Sequence, residues 1–239
     1  MYIILLVITL AIAAYSALSG IKDYAQARKT KDRVRLYRRW IAQSWLIFAV
    51  PAVVFLLAAD APQYLVEPVM HAEFIDSQTF EGDADHVQGV ITGLVIGVLL
   101  AIGIVTFRFR RGVKKRAEAP QELLVPTNRK ERWLAAGMSV TAGITEELFF
   151  RALLPGLLFL ITGDAVLAVT ISIVIFGFEH IYAGWRAVLL TAVVGWVFFK
   201  VYMASGTILL PMAVHAILDI NGLLVMPYLA NKYRAKSGS

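Results

Sequence analysis

Seven apolar stretches, each long enough to cross a hydrocarbon layer about 30 Å thick, dominate this sequence: residues 2–19, 41–59, 89–107, 133–154, 165–181, 187–204 and 207–229. In lipid such segments must be helical, because only a helix satisfies its own backbone groups without water. The expected fold is therefore an all-α transmembrane bundle of about seven spans. Composition agrees, with 59% hydrophobic residues and a mean hydropathy of +0.69, against about 45–50% apolar residues in a soluble domain. The first stretch begins at Met1 with no positive n-region, and Ala14-Tyr15-Ser16-Ala17 is a poor cleavage signal, so it reads as a retained helix. The chain has no cysteine, which excludes a disulfide framework, a thiolate metal site and a Cys nucleophile.

A net charge of +6 suggests nucleic acid until the cations are located. Eight Lys and Arg fall within residues 22–39 and nine within 108–132, together most of the 23 in the chain. Both clusters abut apolar runs, where juxtamembrane positive charge sets topology and meets anionic lipid, so no nucleic-acid partner is expected. Residues 60–88 carry seven acids and no Lys or Arg, and are read as external. Alternating sides from there gives an N-terminus outside and a C-terminus in the cytoplasm. The setting implied is the plasma membrane of a prokaryote. Four regions follow: an N-terminal three-helix transmembrane region (1–107), a basic cytoplasmic linker (108–132) holding Pro120 and Pro126, a four-helix core (133–229) and a cytoplasmic tail (230–239).

Polarity separates the two membrane regions. The first three spans have no ionisable residue in their interiors, whereas the last four hold Glu146, Glu147, Arg151, Glu179, His180, Lys200, His215 and Asp219. A charge at the bilayer centre costs about 2.5–3.5 kcal/mol even on a lenient scale, so these groups need partners or a water-filled cavity. Glu147 and Arg151 stand at i and i+4 on one helix face and can pair. Glu146 points about 100° away and is free for another task, such as general base. His215 and Asp219 repeat the i, i+4 spacing; Asp219 is placed either to orient His215 or to bind substrate or metal. Glu146, His180 and His215 are enough to ligate zinc with one open position, or to activate water without a metal. The zinc signature HExxH is absent from the chain.

Glu146-Glu147-x-x-x-Arg151, Phe176-x-x-x-His180 and His215-x-x-x-Asp219, in this order on successive apolar stretches, resemble the CAAX-prenyl-protease and bacteriocin-processing (CPBP, or Abi) family of intramembrane proteases. The resemblance covers roughly residues 130–225. It implies hydrolysis of a peptide bond in a membrane-associated protein or peptide, prenylated CAAX-type substrates among them. It also implies that Glu146 acts with His215 on the attacking water, and that His180 and Asp219 hold the oxyanion or a metal. Asn221 is a second candidate for the last position.

Blander readings stand beside these. A buried pair such as Glu147–Arg151 often serves structure alone, and Glu179 reads as a solvated neighbour of His180. Arg186 and Lys200 are expected to snorkel, while Trp133, Trp185 and Trp196 anchor at interfaces. His71 and His86 belong to the solvated acidic loop. The rival class is non-enzymatic: a proton-coupled transporter, or an immunity or scaffold protein. Convergence separates the two, since hydrolysis needs Glu146 and His215 on one shared water and a relay spreads its groups through the bilayer. Straight, upright helices oppose convergence. They place Glu146 and His215 about 20 Å from their cytoplasmic ends and His180 only about 8 Å from its own. Helix tilt, an interfacial start near Trp133, or a break at Pro155 or Pro211 is expected to close that gap.

Overall fold

A computed structural model describes residues 1–65, 67–68, 89, 92–93 and 123–229. Most of the third apolar stretch, the acidic loop with His71 and His86, the linker as far as residue 122 and the tail lie outside the described residues. The described residues are helical, with no strand among them. In chain order the helices are α1 (Tyr2–Thr30), α2 (Arg33–Ser44), α3 (Val50–Ala58), α4 (Arg129–Glu147), α5 (Leu154–Thr162), α6 (Ala165–Glu179), α7 (Trp185–Ser205) and α8 (Leu209–Ile220). Among the described residues, four rods are long and apolar enough to cross a membrane: Tyr2–Thr30, Arg33–Ala58, Trp185–Ser205 and Leu209–Leu229. Their exposed faces carry Ile4, Val7, Leu18, Leu57, Leu189, Val193, Leu209 and Ile217, a surface that lipid solvates and water does not. The expected span 133–154 lies inside a longer rod from Arg129 to Thr162, in which Glu146, Glu147 and Arg151 dilute the apolar content. The expected span 165–181 is a 15-residue helix, α6, that stops at Glu179.

Helix starts follow local chemistry. The Asp32, Asn128 and Asp164 side chains each accept a backbone N–H three residues on, at 2.9 Å, which satisfies one orphan donor of the first turn. Glu131 reaches back to Thr127, accepting from its N–H at 2.7 Å and its hydroxyl at 2.9 Å.

Three rods contain a widened π turn: Trp45–Ala49 between α2 and α3, Leu148–Leu153 between α4 and α5, and Asn221–Val225 after α8. A proline follows each of them by two residues, at Pro51, Pro155 and Pro227. The cause is steric. A proline ring inside a helix lacks an N–H and clashes with the carbonyl four residues back; one extra residue in the preceding turn moves that carbonyl aside. Each rod therefore widens at its proline instead of breaking. At the second widening, the Phe150 carbonyl takes its hydrogen bond from Ser172 of α6 at 2.5 Å. Pro211 needs no such adjustment, because it lies in the first turn of α8, where N–H groups have no helical partner.

Glycine permits two close helix crossings. A Cβ at Gly143 would stand 2.7 Å from the Met212 carbonyl and 2.9 Å from the Ala216 nitrogen, so α4 and α8 meet backbone to backbone there. A Cβ at Gly177 would stand 2.9 Å from the Val188 carbonyl, bringing α6 onto α7. Between these crossings the buried core runs through Phe48, Leu56, Phe149, Phe150, Leu157 and Phe176. The Phe48, Phe149 and Phe150 rings meet at centroid distances of 4.9–5.5 Å. The N-terminal rods close over this core: α1 against α5 and α6, α2 against α4.

Candidate active site

The Gly143 crossing aligns the last turn of α4 with the middle of α8, which sets Glu146 and Glu147 beside His215. Glu147 is the centre of the cluster. It is completely buried; one oxygen accepts from His215 Nδ1 at 2.7 Å and the other pairs with Arg151 Nε at 3.0 Å. The expected Glu147–Arg151 pair is thus present. The Arg151 guanidinium lies over the Phe176 ring at 4.2 Å, and Phe198 is 5.4 Å away, so aromatic faces supply part of what water would. Gly195 leaves the room: its missing Cβ would fall 2.8 Å from Phe176 Cδ1 and 3.6 Å from Arg151 Nη2.

Because Glu147 holds His215 through Nδ1, the other ring nitrogen, Nε2, is left facing outward. Glu146 Oε2 and Asp219 Oδ2 each stand 3.9 Å from it, beyond direct hydrogen-bond range. Side-chain exposure grades from 0% at Glu147 through 7% at His215 and 17% at Glu146 to 39% at Asp219, so the cluster runs from a sealed base to an open rim. The sequence left Asp219 as one candidate to orient His215. In the structure Glu147 holds that position, and Asp219 lies on the side of Nε2.

The rim opens into a cavity of about 260 Å³, lined by Glu146, His180, His215 and Asp219 together. His180, the C-cap of α6, shares its Nδ1 proton with the Phe176 carbonyl at 3.2 Å, which leaves its Nε2 free. The Phe176 ring lies 5.3 Å from His180 and 6.2 Å from His215. The expected gap does not keep the groups apart, since Glu146, His180 and His215 line one cavity. The helix α6 has 15 residues and stops at Glu179, and the 3₁₀ turn Ile181–Ala183 carries the chain on to α7.

Sequence reasoning missed the N-terminal wall of this cavity. Ser16, Ser19 and Gly20 of α1 line it, with Trp40, Gln43 and Ser44 of α2. Gln43 Nε2 donates to Ser19 Oγ at 2.5 Å, tying the two helices. A signal was present, since Ser16, Ser19 and Gly20 follow i, i+3, i+4 spacing on an otherwise apolar helix. Glu179, read as solvated, lines the cavity too, and Ser16 reaches its carboxylate. Asn221 begins the third widened turn and is absent from the lining.

The fixed Nδ1 protons of both histidines are what a metal ligand's outer contacts look like. Among the described residues, however, no group of three or more His, Asp or Glu is gathered closely enough to hold a metal ion. The chemistry proposed below uses Glu and His.

Fold and site together define an α-helical integral membrane protein with a carboxylate–histidine cluster opening on an internal cavity. Residues 128–221 match the Rce1-like family model, described as type II CAAX prenyl endopeptidase Rce1-like. The likeness to the CPBP proteases read from the three motifs therefore holds for this segment, which carries all six predicted site residues and is similar to a protease family. No curated protein and no solved structure matches the chain.

Proposed function

We propose that the chain is an intramembrane endopeptidase in which Glu146 activates water against a peptide bond of a membrane-associated substrate. One observation carries the reading: Glu146 Oε2 stands 3.9 Å from a His215 nitrogen whose ring is held from behind by Glu147. That separation is too long for a direct bond and short enough for one water to touch both groups. Glu146 takes the water proton as the oxygen attacks the carbonyl, and later returns it to the leaving amine. Glu147 holds His215 through Nδ1, and with the ring already protonated on both nitrogens its Nε2–H faces the developing oxyanion. Arg151 neutralises Glu147. His180 and Asp219 bracket the scissile bond from the rim.

On this reading the chain spans the plasma membrane of a prokaryote seven times, with its N-terminus outside and its C-terminus in the cytoplasm. The N-terminal helices (residues 1–107), linker (108–132), core (133–229) and tail (230–239) divide as the sequence suggests.

The test is cleavage of membrane-tethered and prenylated peptides by purified protein in liposomes. Glu146→Ala and His215→Ala are expected to abolish cleavage and Arg186→Ala to retain it. Added zinc and a chelator run in parallel, and chelator-sensitive cleavage would overturn the metal-free mechanism. Equal cleavage by all variants, or none by wild type, would turn the assignment to a transporter or scaffold.

A further inference from the structure

The far wall of the cavity has a chemistry that the cluster does not use. Glu179 of α6 lines it together with Glu146 and Asp219, so three carboxylates face one space of about 260 Å³. Among the described residues no Lys or Arg lines it, and Arg151 is engaged with Glu147 outside the lining. The cavity is thus lined by three carboxyl groups and two histidines. A second feature, independent of the acids, lies beside them. Tyr182, on the 3₁₀ turn two residues after His180, packs its ring 5.4 Å from Tyr24 and 5.3 Å from Trp40, and all three line the cavity. Tyr182 is also 6.0 Å from the His180 ring. Electron-rich ring faces next to carboxyl groups form a receptor for a cation.

We infer that the wall formed by Glu179, Tyr24, Trp40 and Tyr182 is a specificity subsite for a Lys or Arg side chain of the substrate, next to the scissile bond. The inference rests on the endopeptidase reading and deepens it. The ring faces take the alkyl stem and the cationic head, while Glu179, approached by Ser16 from α1, pairs with the charge. The wall belongs to α1, α2 and the turn after α6, which gives the N-terminal helices a role in substrate choice.

The experiment uses the full chain in liposomes with three quenched, membrane-tethered peptides that differ only at one residue beside the cleaved bond: Lys, Gln or Glu. Wild type is expected to prefer Lys over Glu in kcat/KM by about a hundredfold, and Glu179→Gln to cut that ratio by about tenfold or more. Glu179→Lys is expected to invert the order. A parallel arm measures binding of the Lys peptide made uncleavable by N-methylation of its scissile amide. Cleavage without charge preference would overturn the subsite and leave the endopeptidase reading intact. Charge-selective binding that Glu179→Gln weakens, with no peptide cleaved, would keep the subsite and overturn the endopeptidase. Absence of both cleavage and binding would overturn both.

Discussion

Glu146 and Glu147 are neighbours in sequence and opposites in setting, and their variants are expected to fail differently. Glu147 is sealed between His215 and Arg151. Its loss in Glu147→Ala strands a buried guanidinium and should cost about 3–5 kcal/mol of stability, read as a lower thermal midpoint in detergent. Glu146 faces the cavity, so Glu146→Gln should leave stability within about 1 kcal/mol of wild type while cleavage disappears. Equal destabilisation by the two would contradict the sealed-base, open-rim geometry. The i, i+4 spacing already paired Glu147 with Arg151 and left Glu146 apart, so this contrast was half legible in the sequence. That Glu147 also holds His215 was not legible, because the bond joins residues 68 apart and depends on how α4 crosses α8.

At the scale of the helices, the crossing itself is the predicted weak point. Gly143→Ala places a methyl against backbone atoms of α8 that have no room to rotate away. It should part the helices at a cost of about 1–3 kcal/mol and impair cleavage, although the residue touches no substrate. Gly137→Ala is the control on the same helix, since its added Cβ would meet only the Ile41 side chain at 3.8 Å and its helix propensity improves. Thermal midpoints of the two variants, measured side by side, check the claim. The widened turns carry a second expectation. Ser172→Ala removes the donor to the Phe150 carbonyl and leaves it buried without a partner, a loss of about 1–3 kcal/mol visible in the same melts. The sequence suggests a break at Pro155, whereas the structure has an extra residue in the turn before it, as before Pro51 and Pro227.

For the whole molecule, the two-sided character of α1 gives the most direct check. The chain has no cysteine, so single thiols can be placed without background. Ser16→Cys lines the cavity and should react with a small, polar thiol reagent. Leu18→Cys, on a face 60% exposed in the structure and covered by lipid in a membrane, should stay unlabelled because no thiolate forms there. Equal labelling would mean that the cavity is dry or that α1 faces another way.

The division between sequence and tertiary structure follows from range. Apolar length and i, i+4 spacing are local, and from them the sequence alone pointed to a helical membrane chain and to the Glu147–Arg151 pair, while three short motifs carried the likeness to a protease family. The contact of Glu147 with His215, the meeting of His180 with Glu146 and His215 at one cavity, and the cavity wall supplied by Ser16, Trp40 and Tyr182 were decided by packing. Each depends on which helices approach closely enough to touch, and glycines, prolines and buried aromatics settle that only once the bundle is assembled.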